Sequence, residues 1–257
     1  MELIIEQNSF YYYALIAWIG LAMITFVFLL IFKPSTYGRH AKITKLSINN
    51  RLGWFIMELP TVILMPYFFF KDSPDNNAVI LCFLALYIIH YINRVFIFPF
   101  KLRTQGKKIP ILIVFSAIIF NICNTYFIGY YFSQATSLYD INWFFSPPFI
   151  IGLMIFLIGA YINHQSDTIL MNLRKGSENG YKIPYGGFFR HVSCPNHLGE
   201  IVEWIGFAIL TCSLPTFAFA LWTIANLVPR AIQHHYWYKQ KFPNYPKNRK
   251  AILPYLI

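Results

Sequence analysis

Asn163, Asp167, Glu200, Glu203, Arg230, His234 and Tyr238 are side chains of the kinds that hold and polarise ligands, and each lies within or at the end of a long apolar run. Ionisable groups are costly in hydrocarbon and persist there when they face one another, water or a ligand. Their spacing groups them further. Asn163 and Asp167 stand one helical turn apart, Glu200 shares a stripe with Glu203 and Trp204, and Arg230, His234 and Tyr238 keep a four-residue stride along one face. Two or three such residues could glue helices together. This many on three helix ends imply one shared polar chamber. A second set lies upstream. Glu58 stands among Met57, Leu59 and Pro60, where a carboxylate is paired or partly protonated. In His90-Tyr91-Ile92-Asn93-Arg94, His90 and Arg94 share a helical face, with Tyr91 turned about 100° from His90.

The residue types exclude several chemistries. A dinucleotide fold needs a strand, a glycine-rich turn and a helix, and Gly186-Gly187 is too slight to count. A membrane di-iron centre needs clustered histidines, whereas of seven here only His234 and His235 adjoin. No serine sits in a GxSxG elbow. Cys82, Cys123, Cys194 and Cys212 form no CxxC pair, so neither a disulfide framework nor a zinc site is indicated, and no metal is expected. What remains is a basic, aromatic cytosolic mouth for a phosphorylated cofactor, opening into an apolar cavity for a lipid-like substrate.

Those side chains need a scaffold, and composition states its kind. Of 257 residues, 57% are hydrophobic and 12% charged, with a mean hydropathy of +0.48. That lies outside the usual range of soluble domains. Seven apolar runs, 10–32, 53–70, 77–98, 109–132, 146–165, 197–212 and 215–238, approach the length that crosses a bilayer as a helix; the sixth is the shortest. The first is too long for a signal peptide and lacks a basic flank and cleavage site. Basic residues crowd the segments after runs one, three, five and seven, while the alternate segments hold Lys71 against Glu2, Glu6, Asp72, Asp75 and Asp140. This positive-inside pattern predicts an all-α integral membrane protein with seven transmembrane helices, N-terminus outside and C-terminus cytosolic. The net charge of +11 thus sets orientation, and no basic stripe on a soluble face speaks for nucleic acid. Without repeats or linkers the chain reads as a single domain, 1–257. Its longest polar interruption, 167–195, reads as a lid or cofactor loop on the cytosolic side.

Leu173-Arg174-Lys175, Tyr181-Lys182-Ile183-Pro184-Tyr185-Gly186-Gly187 and Asn196-His197-Leu198-Gly199-Glu200-Ile201-Val202-Glu203-Trp204 together resemble the steroid 5α-reductase (3-oxo-5α-steroid 4-dehydrogenase) family. So do Arg230-Ala231, His234-His235, Tyr238 and Tyr245-Pro246-Lys247-Asn248-Arg249-Lys250-Ala251. Asn163, Ser166-Asp167, His90-Tyr91, Arg94, Glu58-Leu59-Pro60 and Tyr37-Gly38-Arg39-His40 extend the likeness, in order, over nearly the whole chain. The resemblance implies NADPH-dependent reduction of the Δ4 double bond of a 3-oxo-Δ4-steroid by a seven-helix membrane enzyme. It implies that Glu58 and Tyr91 meet the 3-keto oxygen. It also implies that Asn163, Asp167, Arg174, Asn196, Glu200, Arg230, His234 and Tyr238 line the NADPH pocket, joined by Tyr37, Tyr181 and Trp204 from the matching motifs. Arg174, Arg103 and Arg230 are the candidates for the pyrophosphate and 2′-phosphate, where forked guanidinium contacts are strong. Met57 stands where the steroid enzymes usually carry glutamine, and Lys182 where arginine is expected, keeping the charge but losing the fork.

The partners so implied are a lipophilic steroid and membrane lipid, without nucleic acid, for a monomer in a bacterial inner membrane or the endoplasmic reticulum with its site open to the cytosol. Two other readings stay open: a related membrane reductase of a sterol alkene or an enoyl-CoA, and a membrane methyltransferase using S-adenosylmethionine. A transporter is disfavoured by the lack of paired repeats.

Overall fold

The computed structural model describes residues 9–32, 46–71, 77–102, 106–173 and 181–256. The chain is mostly helical, and each of the seven apolar runs coincides with a helix. These are α1 (Ser9–Phe32), α2 (Asn50–Phe70), α3 (Ala78–Lys101), α4 (Ile111–Gln134), α5 (Pro147–Leu173), α6 (Pro195–Thr211) and α7 (Leu214–Lys241). Among the described residues, five helices, α1 to α5, are long and apolar enough to cross a bilayer. α6 is only 17 residues long, and α7, at 28, is polar through its second half. A short antiparallel ribbon, β1 (Ser47–Asn49) with β2 (Lys108–Pro110), pairs Ile48 with Ile109.

One boundary differs from expectation. The polar interruption expected to begin at Asp167 begins later, because α5 runs on to Leu173. Polarity suggests a loop from Asp167 onward, but Ser166 and Asp167 are buried within the helix, where neighbouring elements give them surroundings that sequence polarity does not reveal.

By packing, the described chain forms two compact units, one holding the start of α1 with α2, α3 and α4, the other the rest of α1 with α5, α6 and α7. In the first, α2 and α4 both leave the ribbon and run parallel. Gly53 lies against Ile109 and Val114, Met57 against Asn121, and Met65 and Phe68 against Gly129. On α2 the buried Met57, Thr61, Met65 and Phe69 keep a four-residue stride, and Asn121, Thr125 and Gly129 answer it on α4. A Cβ at Gly129 would stand 2.8 Å from that of Phe68, so this approach requires glycine. The Asn49 side chain caps α2 by accepting from the Arg51 and Leu52 N–H groups, and Asn77 caps α3 through the Ile80 N–H at 3.0 Å. Within α3 the turn Asn93–Ile97 is π-helical, with the Phe98 N–H reaching back five residues to the Asn93 carbonyl. Pro99 follows, and its missing N–H interrupts the ordinary ladder there.

The second unit is built on glycine. Gly152 meets Leu210, Gly159 meets Glu203, Gly199 meets Asn163 and Gly206 meets Phe156, so α5 and α6 pack antiparallel with their backbones nearly touching. A Cβ on Gly199 would lie 2.3 Å from the Asn163 nitrogen. Small residues at such an interface trade side-chain area for backbone approach. A tight turn at Cys212, in the left-handed region, sends the chain into α7, and the hydroxyls of Thr211, Ser213 and Thr216 bond to one another across it. α7 returns along α6, with Trp204 against Phe219 and the Cys194 thiol against the Ala231 carbonyl.

Candidate active site

In the first unit, α2, α3 and α4 each bring polar side chains to one cluster. The Thr61 hydroxyl donates to the Glu58 carbonyl at 2.6 Å and pins the backbone beside Pro60. Asn121 Nδ2 donates to the Glu58 carboxylate at 3.3 Å and to the Met57 carbonyl at 2.7 Å. The Met57 side chain itself packs with Ile109 and Val114. On α3, Tyr91 is 5% exposed and its ring lies against Tyr87, with centroids 4.6 Å apart. The Tyr87 hydroxyl is buried close enough to interact with Tyr91 and to feel the charge of the Glu58 carboxylate. Glu58 and Tyr91, singled out from the sequence, thus share a neighbour in Tyr87, a fully buried phenol that the sequence reading passed over. Tyr87 stands one helical turn before Tyr91, and that spacing was its available signal. The His90 ring flanks Tyr91 at 5.1 Å, while the Arg94 guanidinium sits 5.2 Å from the ring centres of Trp54 and Phe98.

In the second unit, the antiparallel order of α5, α6 and α7 brings three polar helix ends together. Asn163 Nδ2 donates to the Asn196 carbonyl at 2.9 Å, across the interface that Gly199 makes close. Asp167 is buried one turn further along α5, and Glu203 is buried against Gly159. Glu200 and Arg230 are half-buried. The rings of His197 and His234 stand 5.7 Å apart, and Tyr181 packs edge-on against Trp237 at 4.9 Å. Trp204 lies deeper, almost fully enclosed by Phe156, Phe207 and Phe219, so its ring packs the helix that carries Glu200. Amides, carboxylates, a guanidinium and imidazoles gathered at one end match the hydroxyls, carboxamide and phosphates of a nicotinamide dinucleotide in donor and acceptor type. Tyr37, Arg103 and Arg174 lie outside the described residues.

Behind this end, the tail forms a clasp that the sequence reading did not assemble. The Ser193 hydroxyl bonds His235 Nδ1 at 2.7 Å and the Tyr245 hydroxyl at 2.6 Å, and donates to the Lys250 carbonyl at 3.0 Å. Arg249, buried, donates to the Pro184 carbonyl at 3.1 Å and lies over the rings of Tyr185 and Tyr245. Backbone bonds from Ser193 to Lys250 and from Cys194 to Ala251 fix the strand-like contact. Tyr245 stacks almost flat on Tyr238, at 5.3 Å and 11°, so the clasp also braces the third member of the α7 stride. Burial pushes the Tyr245 phenol above its ordinary pKa, with Ser193 and Arg249 pulling the other way. Sequence adjacency hid the division of labour between His234 and His235. Neighbours on a helix point about 100° apart, and here one faces His197 and the other Ser193.

Comparison with known proteins adds a separate finding. Residues 107–257 match the family model for 3-oxo-5-alpha-steroid 4-dehydrogenase. The chain is 42% identical over 226 residues to 3-oxo-5-alpha-steroid 4-dehydrogenase 1 of Homo sapiens, covering 87% of this chain and 86% of that protein. It is 37% identical over 256 residues to a steroid 5-alpha-reductase of Gossypium hirsutum, covering 98% of each. A steroid 5-alpha-reductase of Solanum lycopersicum is 41% identical over 230 residues, covering 88% of this chain and 89% of its own.

Proposed function

The chain belongs to the 3-oxo-5-alpha-steroid 4-dehydrogenase family, and from that premise we propose that it reduces the Δ4 double bond of 3-oxo-Δ4-steroids to 5α-dihydrosteroids with NADPH. As a member of that family it is an oxidoreductase. The observation that carries the finer reading is the buried phenol of Tyr91, which shares its neighbour Tyr87 with the Glu58 carboxylate.

Conjugation makes the β-carbon of an enone electrophilic. Hydride addition there moves an electron pair through the double bond onto the carbonyl oxygen. Tyr91, as a hydroxyl donor at that oxygen, stabilises the charge as it develops, and Glu58 shares or orients the hydrogen bond. Tyr91 gives its proton to that oxygen, forming the enol, which becomes the ketone as a proton from water adds at the α-carbon and the O–H proton returns to the Tyr91 phenolate. When bound, the reduced nicotinamide would supply the hydride. Asn163, Asp167, Asn196, Glu200, Arg230, His234, Tyr181 and Tyr238, with Tyr37, Arg103 and Arg174, would hold it, the arginines taking phosphate and the amides taking ribose or carboxamide. Trp204 supports this set from within the packing. The charge pattern favours seven crossings with the N-terminus outside, so that the polar ends of α5, α6 and α7 open to the cytosol where the cofactor is found.

The test is direct. Purified protein is supplied with NADPH and a panel of Δ4-3-ketosteroids, sterol alkenes and enoyl thioesters, and the product is identified by mass and stereochemistry. A 5α-dihydrosteroid supports the proposal. Turnover of thioesters or sterol alkenes alone, or binding of S-adenosylmethionine in place of NADPH, would replace it.

A further inference from the structure

We propose that Ser193 is a positioning residue for cofactor binding. Its hydroxyl accepts from His235 and Tyr245 and donates to the Lys250 carbonyl, so that the tail holds the polar ends of α6 and α7 in one arrangement. The inference rests on the reading that those ends hold NADPH.

The count of hydrogens fixes the direction of each bond. Ser193, 2% exposed, has three neighbours around its hydroxyl: His235 Nδ1 at 2.7 Å, the Tyr245 hydroxyl at 2.6 Å and the Lys250 carbonyl at 3.0 Å. A hydroxyl has one hydrogen and two lone pairs. A carbonyl only accepts, so the hydrogen goes to Lys250, and His235 and Tyr245 both donate. Tyr245 spends its hydrogen on Ser193 and accepts from Arg249 Nη1 at 3.5 Å. The His235 imidazole therefore carries a proton on Nδ1.

Each segment tied to this hydroxyl also carries, or packs against, a residue assigned to the cofactor. Ser193 lies just ahead of α6, which bears Asn196 and Glu200. His235 adjoins His234 on α7, and Tyr245 stacks on Tyr238 at 5.3 Å. The backbone repeats the connection, with the Ser193 N–H donating to the Lys250 carbonyl at 2.8 Å and the Cys194 N–H to the Ala251 carbonyl at 3.1 Å. A site whose supporting side chains are already locked needs less ordering when its ligand arrives. Removing the shared acceptor strands two buried donors, which favours an opened clasp. Only the closed population then binds with full affinity.

The experiment uses the full-length protein in nanodiscs with NADPH and a Δ4-3-ketosteroid. Ser193→Ala should raise the NADPH Kd about tenfold, while kcat at saturating NADPH and the steroid KM stay within about twofold. His235→Leu, which removes one donor, should weaken NADPH binding in the same way. His235→Asn, whose side-chain N–H can take the place of Nδ1–H, should restore the Kd to within about twofold. That pair decides the matter should Ser193→Ala fail to fold. Solid-state ¹⁵N spectra of histidine-labelled protein, with His235→Asn giving the assignment, should show His235 protonated at Nδ1. A lowered melting temperature with unchanged NADPH Kd in the Ser193 and His235→Leu variants makes the hydroxyl merely structural and overturns the inference, as does a bare Nδ1. Wild-type protein that binds no NADPH overturns the cofactor reading itself, so the two failures are distinguishable.

Discussion

The two units carry their polar groups in opposite ways. In the first, Glu58, Tyr87, Tyr91 and Asn121 sit in mid-helix, few in number, and find one another across single helix interfaces. In the second, Asn163, Asp167, Asn196, Glu200, Arg230 and His234 collect at helix ends, and glycine contacts with a tail clasp hold those ends in register. A small, largely buried cluster has little to offer a highly charged molecule. It can, however, stabilise a charge that appears only during reaction, where low dielectric strengthens each donor. A charged cluster at helix ends suits the binding of a polar cofactor. On the proposed reading chemistry and holding are separable, and substitutions should separate them.

The sharpest test is Tyr91→Phe. It should reduce kcat by about 10²–10³-fold, the loss of one oxyanion donor, or about 2.7–4 kcal/mol, while NADPH titration gives an unchanged Kd. Normal turnover would remove Tyr91 from the chemistry. Arg230→Ala should do the reverse. NADPH affinity should fall by about 1.5–3 kcal/mol, with a weaker dependence on salt and kcat at saturation little altered. An unchanged Kd would end the phosphate role assigned to it.

Gly199→Ala probes the scaffold. Its Cβ would stand 2.3 Å from a backbone nitrogen. Forcing α5 and α6 apart should cost about 1–3 kcal/mol of stability and weaken NADPH binding with it. Gly20→Ala, with nothing within 4 Å of the added carbon, is the control that should be silent. Loss of both properties in the control, or of neither in Gly199→Ala, would break the link between glycine packing and the polar ends.

Tyr245→Phe should have the smallest effect. Ser193 keeps His235 and the Lys250 carbonyl, and Arg249 keeps Pro184, so about 0.5–1.5 kcal/mol is at stake. The sign with pH follows from the raised phenol. Its contribution is complete below the ordinary tyrosine pKa and is lost as pH rises through the elevated folded value. Thermal unfolding between neutral and alkaline pH should therefore show the wild type and the phenylalanine variant converging as pH rises. A constant difference across that range would remove the phenol's ionisation from the clasp.

Legibility differed residue by residue. Glu58 stood out because a carboxylate in an apolar run is anomalous on its own. Asn121 did not, since a neutral amide in an apolar helix raises no alarm until the helix it faces is known. Gly152 and Gly159, seven apart, face Gly206 and Gly199, also seven apart, and that repeat was in plain view, but its meaning depended on pairing two distant segments. The apolar run stops at Gln165, but α5 continues to Leu173, because the polar turn that follows is buried at Ser166 and Asp167 against neighbouring elements that the run length does not register.

What the chain determined locally was the position of its seven helices, because apolar run length and capping residues act over a few turns of backbone. It also marked the candidate site residues, since ionisable groups in apolar runs are anomalous on their own. Only the folded arrangement decided their company: Tyr87 with Tyr91, Asn121 with Glu58, His234 rather than His235 beside His197, and Ser193 at the hub of the tail. A helical period fixes which residues share a face, but the direction of that face is set by packing against segments many residues away.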